Sequence, residues 1–340
     1  MLKRKTLALG VAISAFLVTM APAAAHAQEI VLRMAMLGLP MSSYTEASRA
    51  VPDRIAKATN NRVKVEIYDS LIPGGQLHTA VRDGRVDMAA IVNVYLSSED
   101  PRITLSNLPG LVETTDEYKK LHRGYWGGEM ARVWSEKYNS ISLVDGVWLP
   151  QMVMSRTPIR TLEDFKGKKI RVHNTEVAFL MNAIGAKSTP IAANEMLAAM
   201  DRGIVDAVIT SPAVGFGLGF GDVAKHLQAW PIASRAGWSI VINKNAWDKL
   251  PKDLHEPIRT AMRQLEDERY QKYDAYLAEI LAKWKEKGVE MYAVPKPEGD
   301  RALEPKYTKV VFDAWSKRMK ELNLNGDEIL RKARSALAAK

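Results

Sequence analysis

Apolar strands alternate with helical stretches along the first third of the chain, and this order constrains the fold more than any other feature. Strands are predicted at residues 30–36, 62–68 and 86–92, separated by a helix over 42–60 and by a short helix after Pro73-Gly74-Gly75. Residues 62–68 alternate polar and apolar side chains with period two, which is typical of a half-buried strand. Strand–helix–strand order indicates a parallel sheet with helices on both faces.

The same order returns later in the chain, with strands predicted at 168–172 and 206–210 and helices at 177–184 and 194–202. The chain has 340 residues, more than one hydrophobic core usually fills, so the two α/β units indicate two lobes. Residues 141–148 and 151–156 are predicted to carry the chain between the lobes. No long linker separates the units, which favours lobes that the chain crosses several times, with a cleft between them.

The chain from residue 246 onward is predicted to be mainly helical. The stretch 253–256 fits a capping box that starts at Asp253, and Pro257 then falls at about the fourth helical position, where its missing N–H costs no bond. An apolar stripe continues to Lys287, which predicts one helix of roughly 50 Å, long enough to touch both lobes. We expect residues 28–150 to form most of the first lobe. Residues 151–245 should form most of the second lobe together with the crossing hinge strands, and residues 246–340 a helical region that spans both lobes.

The first 27 residues have the pattern of a secretory signal. Lys3-Arg4-Lys5 precede an apolar run over 7–20, and Ala25-His26-Ala27 fits a cleavage site. The run of about 14 residues is shorter than the roughly 20 that a membrane-spanning helix needs. We expect cleavage after Ala27 and a periplasmic mature chain. An uncleaved N-terminal anchor is the alternative.

The sequence offers no recognisable catalytic or metal-binding pattern. It contains no cysteine, which excludes disulfides, thiolate nucleophiles and cysteine-ligated metals. It has no H-E-x-x-H and no G-x-S-x-G motif, and its alternating glycines over 215–221 fit neither a dinucleotide-binding nor a phosphate-binding loop. We expect a protein that is not an enzyme and that needs no cofactor or metal.

The net charge alone does not choose between a nucleic acid, an anionic surface and an anionic ligand as the partner. Lys and Arg number 48 against 39 Asp and Glu, and the net charge of +9 falls to +6 once the predicted leader is removed. The mature chain contains no basic run, and export argues against a nucleic-acid partner.

Arg171 is the most informative single residue. It interrupts the apolar strand 168–172, in which Ile170 and Val172 point to the opposite side. A charge within a central strand needs a partner or an open cleft. The planar guanidinium of arginine matches a carboxylate with two parallel hydrogen bonds. From the residues alone, an exposed strand edge or an internal salt bridge stays an alternative to a ligand contact.

The segment that contains Arg171 resembles a family signature. Residues 161–172, TLEDFKGKKIRV, are similar to the (P)eDlkGlKiRv motif of the extracytoplasmic solute-binding proteins of TRAP transporters, the DctP-like family. Further stretches agree with the same family at 62–68, 75–77, 81–88, 108–109, 183–186, 195–200, 203–206 and 243–251. The resemblance covers essentially the whole mature chain and is specific in the combination of its parts.

The resemblance implies an α/β, two-lobed periplasmic-binding-protein fold with hinge strands and a long lobe-spanning C-terminal helix, closing on an organic acid. In the family, the arginine at the position of Arg171 pairs with the ligand carboxylate. The resemblance places five more residues of this chain at the cleft as expected ligand contacts: Asn174, Thr210, Ser211, Val92 and Tyr95. Of these, Thr210 and Ser211 offer hydroxyl groups.

Two departures from the family pattern bear on the ligand. Some members that bind acidic sugars carry a second arginine where this chain has Gln151, and such a member has an acidic residue where Val92 stands. These differences disfavour sialic-acid-like ligands. They favour a monocarboxylate, or an acid whose second end is bound by neutral donors. Trp148, Phe216 and Trp238 lie near the expected cleft and are candidates to stack against an apolar or aromatic ligand.

The sequence thus predicts a periplasmic receptor that binds an organic acid through Arg171 and delivers it to the membrane permease of a TRAP transporter. The alternative among binding proteins is a receptor of an ABC or other tripartite carboxylate uptake system. An exported hydrolase or lyase that uses Asp and His in the cleft is the alternative from a different class. The sequence leaves the ligand and the oligomeric state open.

Overall fold

The computed structural model describes residues 30–233 and 235–339, so the predicted leader lies outside the described residues. The strands are β1 (Ile30–Met36), β2 (Val63–Asp69), β3 (Met88–Val92), β4 (Ser140–Val147), β5 (Met152–Ser155), β6 (Lys169–Val172), β7 (Lys187–Pro190), β8 (Ala207–Thr210), β9 (His226–Ala229), β10 (Gly237–Asn243) and β11 (Glu290–Ala293). The helices are α1 (Ser43–Ala58), α2 (Leu77–Arg82), α3 (Thr115–Leu121), α4 (Gly127–Lys137), α5 (Thr175–Ile184), α6 (Met196–Asp201), α7 (Pro212–Gly217), α8 (Phe220–Val223), α9 (Lys244–Lys249), α10 (Lys252–Gln271), α11 (Tyr273–Glu286), α12 (Lys296–Ala302), α13 (Pro305–Glu321) and α14 (Gly326–Ala338).

The first sheet has five strands in the order β2-β1-β3-β10-β4, and the elements around it form the first lobe. β1 pairs in parallel with β2, where Ile30 faces Val63, and with β3, where Met34 faces Met88. β10 runs antiparallel to both β3 and β4. The parallel order predicted for the first unit is confirmed. Two strands from later in the chain extend that sheet: β10 is antiparallel to its neighbours, and β4 beyond it runs in the same direction as β3.

The second sheet has six strands in the order β11-β9-β5-β8-β6-β7, and the elements around it form the second lobe. β6 is parallel to β7 and β8, as strand–helix–strand order predicts. β5 is antiparallel to β8 and β9. The edge strand β7, Lys187–Pro190, is mostly exposed, so its sequence carries no apolar pattern that would have predicted it.

The chain crosses between the lobes at the places where strands of one sheet lead into strands of the other. β4 of the first sheet is followed by β5 of the second, as the sequence predicts for 141–148 and 151–156. β9 of the second sheet leads back to β10 of the first. These two crossings are the hinge strands of the fold.

The predicted single long helix is two helices, with Lys272 between α10 and α11. α10 contacts α1 and β4 in the first lobe, while α11 contacts α7 and β11 in the second. The region therefore spans both lobes, as predicted. The apolar stripe continues across Lys272 because both helices bury one side. The break between the two helices therefore cannot be predicted from the stripe.

The predicted capping box at Asp253 is wrong. Helix α10 begins two residues earlier, after Pro251, whose carbonyl accepts a hydrogen bond of 3.0 Å from the Leu254 N–H. The Asp253 carboxylate pairs instead with Arg62 of the first lobe. Pro257 consequently lies inside α10, where it cannot donate the backbone hydrogen bond of a regular helical turn.

Neither a membrane-spanning helix nor a metal-binding cluster is found in the described part of the chain. Within 30–233 and 235–339, no helix is both long and apolar enough to cross a membrane. The same residues contain no group of three or more His, Asp or Glu side chains placed to hold a metal ion.

Candidate functional site

A cavity of about 40 Å³ lies between the two lobes, where the carboxyl ends of strands from both sheets meet. In α/β proteins, ligands commonly bind at the carboxyl ends of the strands. The described lining residues come from the ends of β1, β3, β6 and β8 and from both crossings: Leu39, Val92, Val94, Tyr95, Trp148, Gln151, Arg171, His173, Ala193, Thr210, Ser211, Val214 and Ala236. Seven of the ten predicted contacts are among them.

Arg171 is a buried cation in the wall of this cavity, with 1% of its surface exposed. Its Nε donates to the Ile191 carbonyl and its Nη1 to the Ile209 carbonyl, both at 2.9 Å. A guanidinium has five N–H donors, so further donors are left for another partner. The exposed-edge alternative is therefore excluded.

No carboxylate of the described residues forms an ion pair with Arg171. The internal salt bridge, the second alternative that the sequence left open, is thus absent from the described part of the chain. Burial without a counter-ion disfavours the charged form and lowers the pKa of Arg171 to about 10. The cation is retained at neutral pH, and it lacks an anion.

Two hydroxyl groups stand at the end of β8, beside Arg171. Thr210 and Ser211 are 6% and 3% exposed and both line the cavity. Ser211 precedes Pro212 at the start of α7, but its side chain does not cap that helix. Neither hydroxyl takes part in a side-chain hydrogen bond with the described residues. Both are available to a molecule in the cavity.

Trp148 and Gln151 lie on the crossing between β4 and β5, and each is partly held by the backbone. The Trp148 indole N–H donates to the Gly237 carbonyl at 3.2 Å, and its ring stacks on Tyr44 with centroids 5.3 Å apart. The Gln151 side-chain nitrogen donates to the Leu149 carbonyl at 3.0 Å. Trp148 is therefore held in one orientation at the cavity wall.

Tyr95 and Val92 contribute the first-lobe side of the cavity, after β3. Burial raises the pKa of Tyr95, while the Arg171 cation and a backbone hydrogen bond at Ala193 oppose that increase. The phenol is therefore neutral at physiological pH. Together with Arg171, these residues place one permanent charge in a wall that is otherwise neutral or apolar.

The remaining three predicted contacts are outside the cavity lining. Asn174 caps α5, where its side-chain oxygen accepts from the Val177 N–H at 3.0 Å, and its amide nitrogen has no partner among the described residues. Phe216 packs edge-on against Trp284, with ring centroids 5.7 Å apart. Trp238 is fully buried in the first lobe. None of the three rings or amides faces the cavity of this conformation.

His173 lines the cavity two residues after Arg171 and was not predicted from the sequence. Its position carried a usable signal, because alternate residues along an extended segment point to the same side. The other missed lining residues are apolar and give no distinctive pattern: Leu39, Val94, Ala193, Val214 and Ala236.

Two α/β lobes with a cavity between them define the architecture of a two-lobed solute-binding protein. Residues 40–313 match the family model of the bacterial extracellular solute-binding proteins, family 7, the DctP family. The chain belongs to this family, which confirms the family resemblance and the two-lobed α/β fold class expected from the sequence.

Proteins with similar sequences are also named as solute-binding proteins. A solute-binding protein of Albidiferax ferrireducens is 31% identical over 219 residues, which are 62% of this chain and 64% of that protein. A monocarboxylate 2-oxoacid-binding periplasmic protein of Nostoc sp. is 25% identical over 248 residues, 69% of this chain and 66% of the relative. The match thus covers slightly less than two thirds of each relative.

Solved structures show the same fold over nearly the whole chain. An extracytoplasmic solute receptor of Bordetella pertussis that binds pyroglutamic acid has a TM-score of 0.80 at 20% identity, covering 91% of this chain and 99% of its own. A TRAP solute-binding protein of Desulfovibrio salexigens with bound orotic acid has a TM-score of 0.82 at 18% identity, with the same coverages.

Proposed function

We propose that this protein is the receptor of a TRAP transporter that captures a small organic acid outside the cytoplasm and delivers it to the membrane permease. The observation that carries the proposal is the state of Arg171, a cation that is 1% exposed, faces an interlobe cavity and has no carboxylate partner in the described chain. Leaving a charge buried and unpaired is costly, so the site is suited to a ligand that brings a carboxylate.

The charges of the wall support an acid with a single carboxylate. Arg171 supplies the one permanent charge among the described lining residues, and neutral donors surround it: Tyr95, Gln151, Thr210 and Ser211. A second carboxylate would have no cation to meet. This favours a monocarboxylate, or an acid whose second end is bound by neutral donors, over a dicarboxylate.

The names of the relatives support a carboxylate as the group that the ligand presents to the site. The relatives and neighbours include proteins whose descriptions name a monocarboxylate 2-oxoacid, pyroglutamate and orotate as ligands. Another relative is named as a C4-dicarboxylate-binding protein, and another solved structure contains bound β-D-galacturonate. All of these ligands share a carboxylate, which is the group that Arg171 is proposed to bind.

Closure of the lobes completes the proposed cycle. Contacts between the lobes are present in this conformation, among them the Ser97 and Thr175 hydroxyls, 3.1 Å apart. A ligand that touches both lobes stabilises the closed form over an open one and shifts the population towards it. The closed, loaded receptor is the form proposed to engage the permease.

A ligand screen tests the proposal directly. The chain without residues 1–27 is titrated calorimetrically with pyroglutamate, orotate, 2-oxobutanoate, succinate and galacturonate, with the matching amides of the same acids as controls. Saturable 1:1 binding of at least one monocarboxylate, and none of its amide, supports the proposal. Equal binding of acid and amide contradicts the carboxylate assignment, and binding of succinate alone contradicts the preference for one carboxylate.

The choice of transporter is tested separately. Uptake of the bound acid is measured in vesicles that contain either TRAP membrane subunits or an ABC permease. We expect the receptor to support uptake only with the TRAP subunits. Uptake with the ABC permease alone would favour the alternative.

A further inference from the structure

His173 faces the same cavity as Arg171, and its imidazole lacks a well-formed hydrogen bond within the described chain. Both imidazole nitrogens, Nδ1 and Nε2, are buried and make no hydrogen bond of regular geometry. The backbone of Ile209 is a weak partner, whose effect on the pKa of His173 is smaller than those of burial and of Arg171. Leaving a buried polar atom without a full hydrogen-bond partner destabilises the protein. Since His173 lines the cavity, a molecule in that cavity is the partner it can reach.

The imidazole of His173 is neutral. Burial, reinforced by the neighbouring Arg171 cation, lowers the pKa of His173 to about 3. A neutral imidazole has one N–H donor and one nitrogen acceptor. It can therefore bind a hydroxyl, a carbonyl or a lactam group, but it does not supply the positive charge that would neutralise a second carboxylate.

The cavity wall also excludes a positively charged second group. The described lining residues include no Asp and no Glu, and Arg171 repels cations. An ammonium group placed near His173 would lose its water without gaining an acidic partner. A ligand of net charge −1 would therefore neutralise the single positive charge of Arg171 in the cavity wall.

We propose that His173 is a specificity-determining residue, which hydrogen-bonds an uncharged polar group that the ligand carries near its carboxylate. The ligand class is accordingly a small acid with a hydroxyl, ketone or lactam group, as opposed to an unsubstituted acid, a dicarboxylate or an amino acid. The inference rests on the proposed function, since it takes Arg171 as the anchor of the carboxylate.

Matched pairs of acids test the inference. Pyroglutamate is compared with cyclopentanecarboxylate, and lactate with propanoate, because each pair differs mainly in the uncharged polar group. The wild-type protein should bind at least one polar member at least about tenfold more tightly than its apolar partner. In His173→Phe, which keeps a ring and removes both nitrogens, that ratio should fall by about tenfold or more. In His173→Gln, which restores a donor and an acceptor, part of the ratio should return.

The outcomes separate this inference from the proposed function. If the acids bind but the ratio is the same in wild type and His173→Phe, the role of His173 is refuted while the receptor function stands. If none of the four acids binds, the inference fails for the ligand class it names. If no carboxylate of the wider screen binds either, the proposed function itself fails. Thermal unfolding of both variants shows whether a changed ratio comes from the site or from loss of folding, because a folding defect weakens both members of a pair equally.

Discussion

The Thr104 hydroxyl of the first lobe donates a hydrogen bond of 3.3 Å to the carboxylate of Glu176 on helix α5 of the second lobe. Glu176 is only 6% exposed, and its other carboxyl oxygen has no partner among the described residues. Burial raises the pKa of Glu176 above its usual value. The contact joins the two lobes in this conformation.

Loss of this contact should weaken ligand binding without unfolding either lobe. Thr104→Val removes the hydroxyl, and a net hydrogen bond contributes about 1 kcal/mol, so we expect affinity to fall roughly fivefold. Calorimetric titration with the acid identified in the screen measures the change. Ser335→Ala, an exposed hydroxyl loss on α14, serves as the control. Unchanged affinity in Thr104→Val would show that the contact does not contribute to closure.

Arg171→Met should abolish most of the affinity for a carboxylate. Methionine retains much of the side-chain length, and the ligand carboxylate would then be desolvated without a cation. Truncation of one partner of a buried charge pair costs about 2–5 kcal/mol, which is roughly 30-fold to 4,000-fold in Kd. The control is Arg202→Met, which removes an exposed arginine. Retention of wild-type affinity in Arg171→Met would refute the anchor.

Ligand affinity should be nearly constant between about pH 6.5 and pH 8.5, because no titratable group of the cavity changes charge in that window. The pKa of His173 is lowered to about 3, that of Arg171 to about 10, and burial raises the pKa of Tyr95. Titrations at three pH values within the window measure this. A loss of affinity with a midpoint near pH 7 would show that His173 binds as an imidazolium.

A second group of buried charges lies in the first lobe, away from the cavity. Asp145 on β4 lies opposite Ser239 of β10, and the Ser239 hydroxyl donates to its carboxylate. The His122 Nε2 lies 3.5 Å from the same carboxylate. Glu266 of α10 accepts the Asp145 backbone N–H at 2.8 Å. The group therefore links the lobe-spanning helix to the hinge strand β4.

Glu266 should make the folding stability depend on pH. Burial, together with the nearby Asp145 charge, raises the pKa of Glu266 to about 7. Because the folded-state pKa is raised, ionised Glu266 destabilises the folded state. This destabilisation is absent below about pH 4.5, grows up to about pH 7 and persists above it.

Glu266→Gln should therefore stabilise the protein at pH 8 by about 1–3 kcal/mol and have a smaller effect at pH 5. Glutamine keeps an oxygen that accepts the Asp145 N–H and carries no charge. Urea unfolding at pH 5, 7 and 8 measures the difference, with the exposed Glu286→Gln on α11 as the control. A stabilisation that is equal at all three pH values would contradict the proposed titration of Glu266.

Gly146→Ala should destabilise the first lobe. Gly146 of β4 lies opposite Trp238 of β10, and a Cβ atom at this glycine would lie only 2.0 Å from the indole ring. Overpacking of this kind costs about 1–3 kcal/mol, which chemical denaturation measures. Gly75→Ala is the matched control, because a Cβ there meets nothing within 4 Å. Equal stability of the two variants would show that Trp238 moves aside without cost.

The order of strands and helices in both α/β units was predictable because it depends on local patterns. Residues 30–36 are a strand as predicted, and the helix over 42–60 is confirmed as Ser43–Ala58. Apolar periodicity reports which side of a segment is buried, and this is a property of nearby residues. The start of α10 was missed because Asp253 pairs with Arg62, which is distant in sequence.

The cavity was only partly predictable for the same reason. Thr210 and Ser211 stand at a strand end and were expected at the cleft, and they line it. Trp238 was also expected there, but its ring packs over Gly146 inside the first lobe. The side chain of an aromatic residue in a strand can point to either side of the sheet, and packing against residues of neighbouring strands determines which side it takes.

The sequence by itself determined the two α/β units, the family and the position of Arg171 within a strand, because these follow from periodicity and a local motif. The tertiary structure decided that Arg171 has no carboxylate partner in the described chain and that the buried imidazole of His173, without a hydrogen bond of regular geometry, lines the same cavity. Burial and pairing depend on residues brought together from both lobes. They decide whether a charged side chain is satisfied within the protein or left for a ligand.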